Sequence, residues 1–445
     1  MSRPEVVSGP HDATGRPLTG SKRSIDDEGG GSSSAPPSKR AERCDSCSPL
    51  SESSEERARS ERHYMVRADD KFDCERYNVV KQLGKGTFGR VVEMWDEQER
   101  KSVAVKVVRA VDKYHREAEI ESEILLKVQS GCSTELPIGH LLRTFASHGH
   151  FCLVFDKLGP SLYHALRSIR RDAERAAARK GARDHHEKKP LHAGRFFSLA
   201  QIARVARDCF RALAHLHSKR LAHTDLKPEN ILFAAPGRAD TLSGGAGVVL
   251  IDFGGSTWEH EHHSSVVCTR QYRPPEVTLG CGWDESVDLW SMGCILAELW
   301  TGGVLFSTHD EVEHLALMER SLGSLPPGLV RRASGRKVEK NFRHGVLRWP
   351  DRAYDRDSEA HVRNQPRLKD ALRGEPHIAP LRWSAQLDSF HHLVWRLLEY
   401  EPEDRLSAAD ALRQTFVRGG DAPPEPAPVP NLDSSSASRS NPRQP

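Results

Sequence analysis

The chain changes its hydrophobic period once. Between residues 77 and 108, short apolar runs are separated by Gly or charged turns: Asn78-Val-Val-Lys-Gln-Leu83, Arg90-Val-Val-Glu-Met-Trp95 and Ser102-Val-Ala-Val-Lys-Val-Val108. Their length and valine content predict strands. From about residue 199 the period lengthens, with Ala203, Ala206, Phe210, Leu213 and Leu216 at helical spacing. Residues 286–299 are apolar on nearly every face, as expected of a helix enclosed within a lobe. The pattern therefore predicts an α+β, two-lobed chain. A small β-rich lobe covers 77–157 and a larger helical lobe covers 158–416.

The flanks carry no such pattern. Residues 1–70, centred on Gly29-Gly-Gly-Ser-Ser-Ser-Ala-Pro-Pro-Ser-Lys-Arg40, and residues 417–445 are rich in Ser, Gly, Pro and mixed charge. Such segments bury too little apolar surface to offset their ordering entropy, so both are predicted to be disordered tails. The chain has 65 Lys and Arg against 62 Asp and Glu. That near balance argues against a protein that works by wrapping nucleic acid. No signal-like run opens the sequence and no apolar stretch approaches the roughly 18 residues of a membrane span, so a soluble, intracellular protein is expected. Most of the nine cysteines sit singly in apolar or mixed segments, among them Cys152, Cys209 and Cys294. Cys44 and Cys47 form one close pair, but Cys74 with His63 is a poor second pair for zinc, which leaves an ordinary exposed pair in a tail.

Three elements carry chemistry. Gly84-x-Gly86-x-x-Gly89-x-Val91 has the spacing of a phosphate-binding glycine loop, shared with dinucleotide-binding folds and, at its weakest, with a plain hairpin turn. Gly89 leads into Arg90-Val-Val-Glu-Met, which favours a strand, whereas a dinucleotide fingerprint opens a helix. Second, Lys106 lies inside the apolar strand Val103-Ala-Val-Lys106, where an ammonium needs an anion. Phosphate oxygens would serve, with a glutamate from the charged helix that follows, which offers Glu117, Glu119, Glu121 and Glu123. Third, His223-Thr-Asp-Leu-Lys-Pro-Glu-Asn230 and, after the apolar strand Val248-Val-Leu-Ile251, Asp252-Phe-Gly254 match the catalytic and metal-binding loops of protein kinases. Phosphoryl transfer depends on positioning and charge neutralisation. The match therefore assigns Asp225 to orient the acceptor hydroxyl or take its proton and Lys227 to stabilise the transferred group. Asn230 and Asp252 would hold Mg²⁺.

Residues 77–416 resemble the LAMMER (Clk-type) dual-specificity protein kinases. Thr224 stands where most kinases place an Arg, the segment Glu261-His-His-Ser-Ser-Val-Val-Cys-Thr-Arg-Gln-Tyr-Arg-Pro-Pro-Glu276 is close to the family's activation segment, and Glu313-His-Leu-Ala-Leu-Met-Glu-Arg-Ser-Leu-Gly323 is its signature helix with Leu317 replacing a Met. The resemblance implies a protein kinase fold and an ATP site. That site would include Leu83, Gly84, Gly86, Gly89, Val91, Ala104, Lys106, Phe155 at the back of the adenine pocket, the hinge residues Asp156 and Leu158, and Asp252. It favours Glu121 as the partner of Lys106, Thr269 as a strut toward Asp225 and Lys227, and Glu276 with Arg405 as a buried ion pair. ATP and Mg²⁺ are the expected cofactors.

The resemblance further implies transfer to Ser/Thr of Arg/Ser-rich splicing factors, with autophosphorylation that includes Tyr, in the nucleus and in part the cytoplasm. A monomer with no membrane partner is expected. Glu229 is a candidate contact for a substrate Arg, and Thr224 implies activity without activation-loop phosphorylation. Ser38-Lys-Arg40 permits nuclear import. Several features depart from the family. Pro274 replaces the usual Ala, the N-terminal tail lacks long Arg-Ser repeats, and a basic insertion at 167–195 holds ten Lys or Arg against four Asp or Glu. Its Ala-rich middle, 173–180, is predicted helical on a solvated surface insert. His260, His262 and His263 are read as part of the activation segment, not as metal ligands. Two rival functions remain open to test: a scaffold without catalysis, against which Lys106, Asp225, Asn230 and Asp252 all count, and an RNA binder working through the insertion.

Overall fold

The computed structural model describes residues 63–130, 136–179, 196–235, 247–308, 310–373 and 385–419. Most of the two expected tails, Cys44 and Cys47, Ser38-Lys-Arg40 and positions 180–195 of the insertion lie outside these residues.

A six-stranded antiparallel sheet forms the small lobe, in the order β1-β2-β3-β4-β6-β5. Its strands are β1 (Lys71–Phe72), β2 (Tyr77–Lys85), β3 (Gly89–Asp96), β4 (Lys101–Val108), β5 (Leu141–Ser147) and β6 (His150–Asp156). Helix α1 (Asp112–Gln129) crosses between β4 and β5. Strand alternation sorts β4 by face. Val103, Val105 and Val107 are buried in a compact cluster with Tyr77, Met94, Phe145 and Val154, while Ala104 and Lys106 line a cleft on the other side.

The folded part begins before residue 77. Tyr64 and Phe72 pack edge to face at 5.0 Å, Phe72 meets His148 at 4.8 Å, and Tyr64 donates to Asp70 at 2.6 Å. Two isolated aromatics in a polar stretch produce no periodic signal, so pattern alone could not place this strap.

The larger lobe is helical. Helix α2 (Leu162–Arg179) runs into the basic insertion, and α3 (Leu199–Ser218) starts at a reciprocal cap between Ser198 and Gln201. Short strands β7 (Leu221–Ala222), β8 (Ile231–Phe233), β9 (Val248–Leu250) and β10 (Thr257–Trp258) carry the loops between them. They are followed by α4 (Pro275–Leu279), α5 (Val287–Thr301) and α6 (Glu311–Leu322). Helix α5 is buried from Val287 through Trp300, which explains its apolar sequence on every face. The signature stretch is α6. His314, Leu315, Ala316, Leu317 and Met318 are all buried, so the motif acts inside the lobe. Burial drives the His314 imidazole down to about 3, helped by Arg273 and Arg270.

Cys152, Cys209, Cys268, Cys281 and Cys294 carry free thiols, whereas Cys74 is disulfide-bonded. Among the described residues no helix is long and apolar enough to cross a membrane.

Arg405 and Glu276 form a fully buried bidentate pair, with N–O distances of 2.9 and 3.1 Å. Arg405 also donates to the Ser286 and Glu399 carbonyls, and its guanidinium lies 5.4 Å from the Trp290 ring centre. All its donors are directed, so the pair anchors the end of the activation segment to α5. Replacing Arg405 with Leu strands the Glu276 carboxylate in the core. Stability measured by urea denaturation should fall by about 3–5 kcal/mol.

Candidate active site

The cleft between the lobes is a cavity of about 540 Å³. Gly84, Gly86, Gly89, Val91, Ala104, Lys106, Glu121, Phe155, Asp156, Leu158, Asn230 and Asp252 all line it. Leu83 does not. It is 43% exposed, and the register of β2 against β3 slips between Gln82 and Gly84. At such an irregularity strict alternation does not assign Leu83 a face. Sequence reasoning missed the apolar floor and back of the cleft, including Leu125, Ile138, Leu232 and Ile251. Leu232, two residues after Asn230 in β8, was the one whose position could have signalled it.

The glycines differ in kind. A Cβ on Gly89 would strike the Val107 carbonyl at 2.2 Å, so packing of β3 on β4 requires that glycine. A Cβ on Gly84 or Gly86 would meet nothing within 4 Å. Neighbouring protein atoms do not demand these two glycines. A ligand approaching the backbone would, which fits a phosphate cradle.

Lys106 projects from β4 into the cleft and is enclosed by carboxylates. Its Nζ lies 2.8 and 3.0 Å from the two Glu121 oxygens and 3.0 Å from Asp252 Oδ1. Of the glutamates on α1, Glu121 is the one brought to it. Burial alone would discharge the ammonium, but Glu121 and Asp252 outweigh it and hold Lys106 above its ordinary value. Burial likewise opposes ionisation of Asp252, and Lys106 reverses that, lowering its carboxyl. Burial and the charge of Asp252 push the Glu121 carboxyl up even against Lys106, so the charge of this second acid depends on a cation beside it. Among the described residues no group of three or more His, Cys, Asp or Glu could hold a metal alone. The hard oxygens of Asn230 and Asp252 instead suit Mg²⁺, which takes one or two protein oxygens together with phosphates and water.

Asp225 lies beside the cleft under three donors. Thr269 Oγ1 donates to Oδ1 at 2.7 Å, Lys227 Nζ to Oδ2 at 2.6 Å and Asn230 Nδ2 to Oδ2 at 3.3 Å. The loop that carries it is fastened from below. Asp288 on α5 accepts from the His223 N–H at 2.8 Å and the Thr224 N–H at 2.9 Å. Thr224, at φ +65°, donates to the Gly255 carbonyl at 2.7 Å, tying the catalytic loop to the segment after Asp252.

The activation segment is held by ring stacking and by hydrogen bonds to its backbone. His263 stacks on Trp283 with ring centres 4.1 Å apart, and Trp283 Nε1 donates to the Ser264 carbonyl at 2.8 Å. Arg273 donates to the Val267 and Cys268 carbonyls at 2.8 and 2.9 Å. Below Glu229, Tyr272 donates to the buried Glu298 at 2.7 Å. Burial pushes the Glu298 carboxyl up to about 7, and the charge of Glu229 adds to the effect. Glu298 went unnoticed in the sequence because it sits in the middle of an apolar helix with no motif around it.

The protein kinase domain model matches residues 77–417, over three quarters of the chain. The chain is a protein kinase of the LAMMER (Clk) type. This kinase is 37% identical over 372 residues to serine/threonine-protein kinase AFC3 of Arabidopsis thaliana, spanning 80% of this chain and 85% of the relative. It is 34% identical to dual specificity protein kinase CLK2 of Homo sapiens, spanning 77% of this chain and 64% of that one. The crystal structure of a kinase domain superimposes with a TM-score of 0.66 at 33% identity, covering 80% of this chain and 98% of that one. As a kinase of this type it is a dual-specificity enzyme that acts on proteins, and the family generally uses ATP and Mg²⁺.

Proposed function

We propose that this kinase transfers the γ-phosphate of ATP to Ser/Thr of Arg/Ser-rich proteins, splicing factors among them, that it autophosphorylates on Tyr, and that it works in the nucleus and in part the cytoplasm as a monomer. The observation that carries the catalytic part is the triple restraint on Asp225. ATP with Mg²⁺ supplies the phosphoryl group and neutralises its charge. Asp225, fixed by Thr269, Lys227 and Asn230, receives the acceptor hydroxyl and takes up its proton. Lys227, 2.6 Å from Asp225, is placed to balance charge on the incoming oxygen and the transferred group. Lys106, held by Glu121, would orient the phosphates, while Asn230 and Asp252 would hold the cation. The backbone at Gly84 and Gly86 would cradle the phosphates. Ala104, Phe155, Asp156 and Leu158 surround the base.

The Arg/Ser preference is supported by Glu229 and Glu298. Glu229 adjoins the catalytic loop and its charge reaches the buried Glu298 carboxyl, and two acids so placed favour a guanidinium on an approaching peptide. The chain's relatives named CLK2 and AFC3 support the kinase class. The splicing role and nuclear site rest on the substrate preference and that similarity.

With labelled ATP and Mg²⁺, the wild type should label an Arg-Ser peptide, and Asp225→Asn should reduce the rate by about 10²–10⁴-fold. Labelling confined to an acidic peptide would overturn the substrate class. Absence of transfer, including to itself, would favour the scaffold.

The pH dependence has a definite sign. A guanidinium needs the ionised Glu298, whose carboxyl is protonated below about 7. KM for the Arg-Ser peptide should therefore fall about tenfold as pH rises from 6 to 8. Glu298→Gln should flatten that profile, and an unchanged slope in the variant would exclude Glu298.

Thr224 cannot pair with a phosphate, and the His263–Trp283 stack already orders the segment. A Ser264→Ala/Ser265→Ala enzyme freed of other phosphates should keep its rate within about twofold. Near-complete loss would show that a phosphate is required.

A further inference from the structure

The tip of the glycine loop does not hang free over the cleft. Phe88, at that tip, lines the cavity and sets its ring edge-on against Tyr114 of α1, with centres 5.6 Å apart and planes at 83°. The Arg109 guanidinium lies 5.1 Å from the Tyr114 ring centre. Arg109 Nη1 donates to the Thr87 carbonyl at 3.3 Å, and the Arg109 N–H donates to the Phe88 carbonyl at 2.9 Å. Two residues of the loop tip are thus fastened to the connection between β4 and α1 and to the first turn of α1.

We propose that Phe88, Tyr114 and Arg109 form a latch that holds the glycine loop closed and makes Tyr114 a positioning residue for nucleotide binding. The proposal rests on the nucleotide reading of the cleft.

Three facts support a latch over incidental packing. Phe88 is 43% exposed, so its ring is not held there by burial in a core. Helix α1 has no side-chain cap at its N-terminus, and the Tyr114 ring ties its first turn to the loop tip. Tyr114 and Glu121 are seven residues apart, two turns along one face of α1. Closing the loop and presenting Glu121 to Lys106 are therefore motions of one rigid element. A ring that stabilises the closed loop before ligand arrives lowers the ordering cost of binding. The contacts are made by the Tyr114 ring and not by its hydroxyl, which separates Tyr114→Phe from Tyr114→Ala.

The test uses the full chain and calorimetric titration with ATP or ADP in Mg²⁺, alongside peptide KM and melting temperature. Tyr114→Ala should weaken nucleotide binding about tenfold while peptide KM stays within about twofold, and Tyr114→Phe should bind as the wild type does. Should Tyr114→Ala fail to fold, Arg109→Met removes the guanidinium from a partly exposed position and should weaken nucleotide about threefold. Nucleotide affinity unchanged in these variants would overturn the latch. So would a parallel loss of peptide binding and melting temperature, which marks general loosening of α1, or a Tyr114→Phe enzyme as weak as Tyr114→Ala. A wild type that binds neither nucleotide would remove the cleft reading itself, a different failure from a wild type that binds and variants that bind equally.

Discussion

Everything in the cleft depends on one ammonium group that the fold has drawn largely out of water. Lys106 sits on the face of β4 opposite Val103, Val105 and Val107, so the strand that builds the small lobe's core delivers a charge to the other side. The charge persists only because Glu121 comes from α1 and Asp252 from the loop after β9. One carboxylate belongs to the small lobe and the other to the large lobe. The ion pair therefore reports whether both are in place, and the cost of an unpaired buried charge enforces that registry.

A second tier of contacts fixes the reacting groups from beneath. Asp288 reaches from a wholly buried helix to two successive N–H groups of the catalytic loop, and His217 Nε2 lies 2.9 Å from the same carboxylate. Thr224 fills the position most kinases give to an Arg and spends its hydroxyl on the Gly255 carbonyl. The loop and the segment after Asp252 are thus joined by a neutral hydrogen bond. The His263–Trp283 stack adds ring packing to the activation segment, beside the hydrogen bonds of Arg273 to the Val267 and Cys268 carbonyls.

Much of this was legible in the sequence, for reasons that can be named. Period-two valines around Lys106 marked a strand with one odd residue, and Gly89 opening into Arg90-Val-Val marked a hairpin where a dinucleotide fold would have a helix. The spacing from His223 to Asn230 and the Asp-Phe-Gly after β9 named the reacting groups. Contacts that depend on tertiary proximity were silent. Tyr64 and Phe72 lie in polar surroundings, so their packing on the sheet left no periodicity. Leu83 belongs to the nucleotide site by motif, yet it sits at an irregularity of β2 where strand alternation assigns it no face. Glu298 was hidden because an acid amid apolar neighbours on α5 acquires meaning only from Tyr272 and Glu229, which come from other parts of the chain.

The grip of Asp288 on His223 crosses 65 positions of sequence. During synthesis, a nascent chain that has emerged as far as Gly254 already contains every motif residue of the cleft, yet its catalytic loop lacks the carboxylate that shapes it. The shape of the loop is therefore complete only with α5 docked against it.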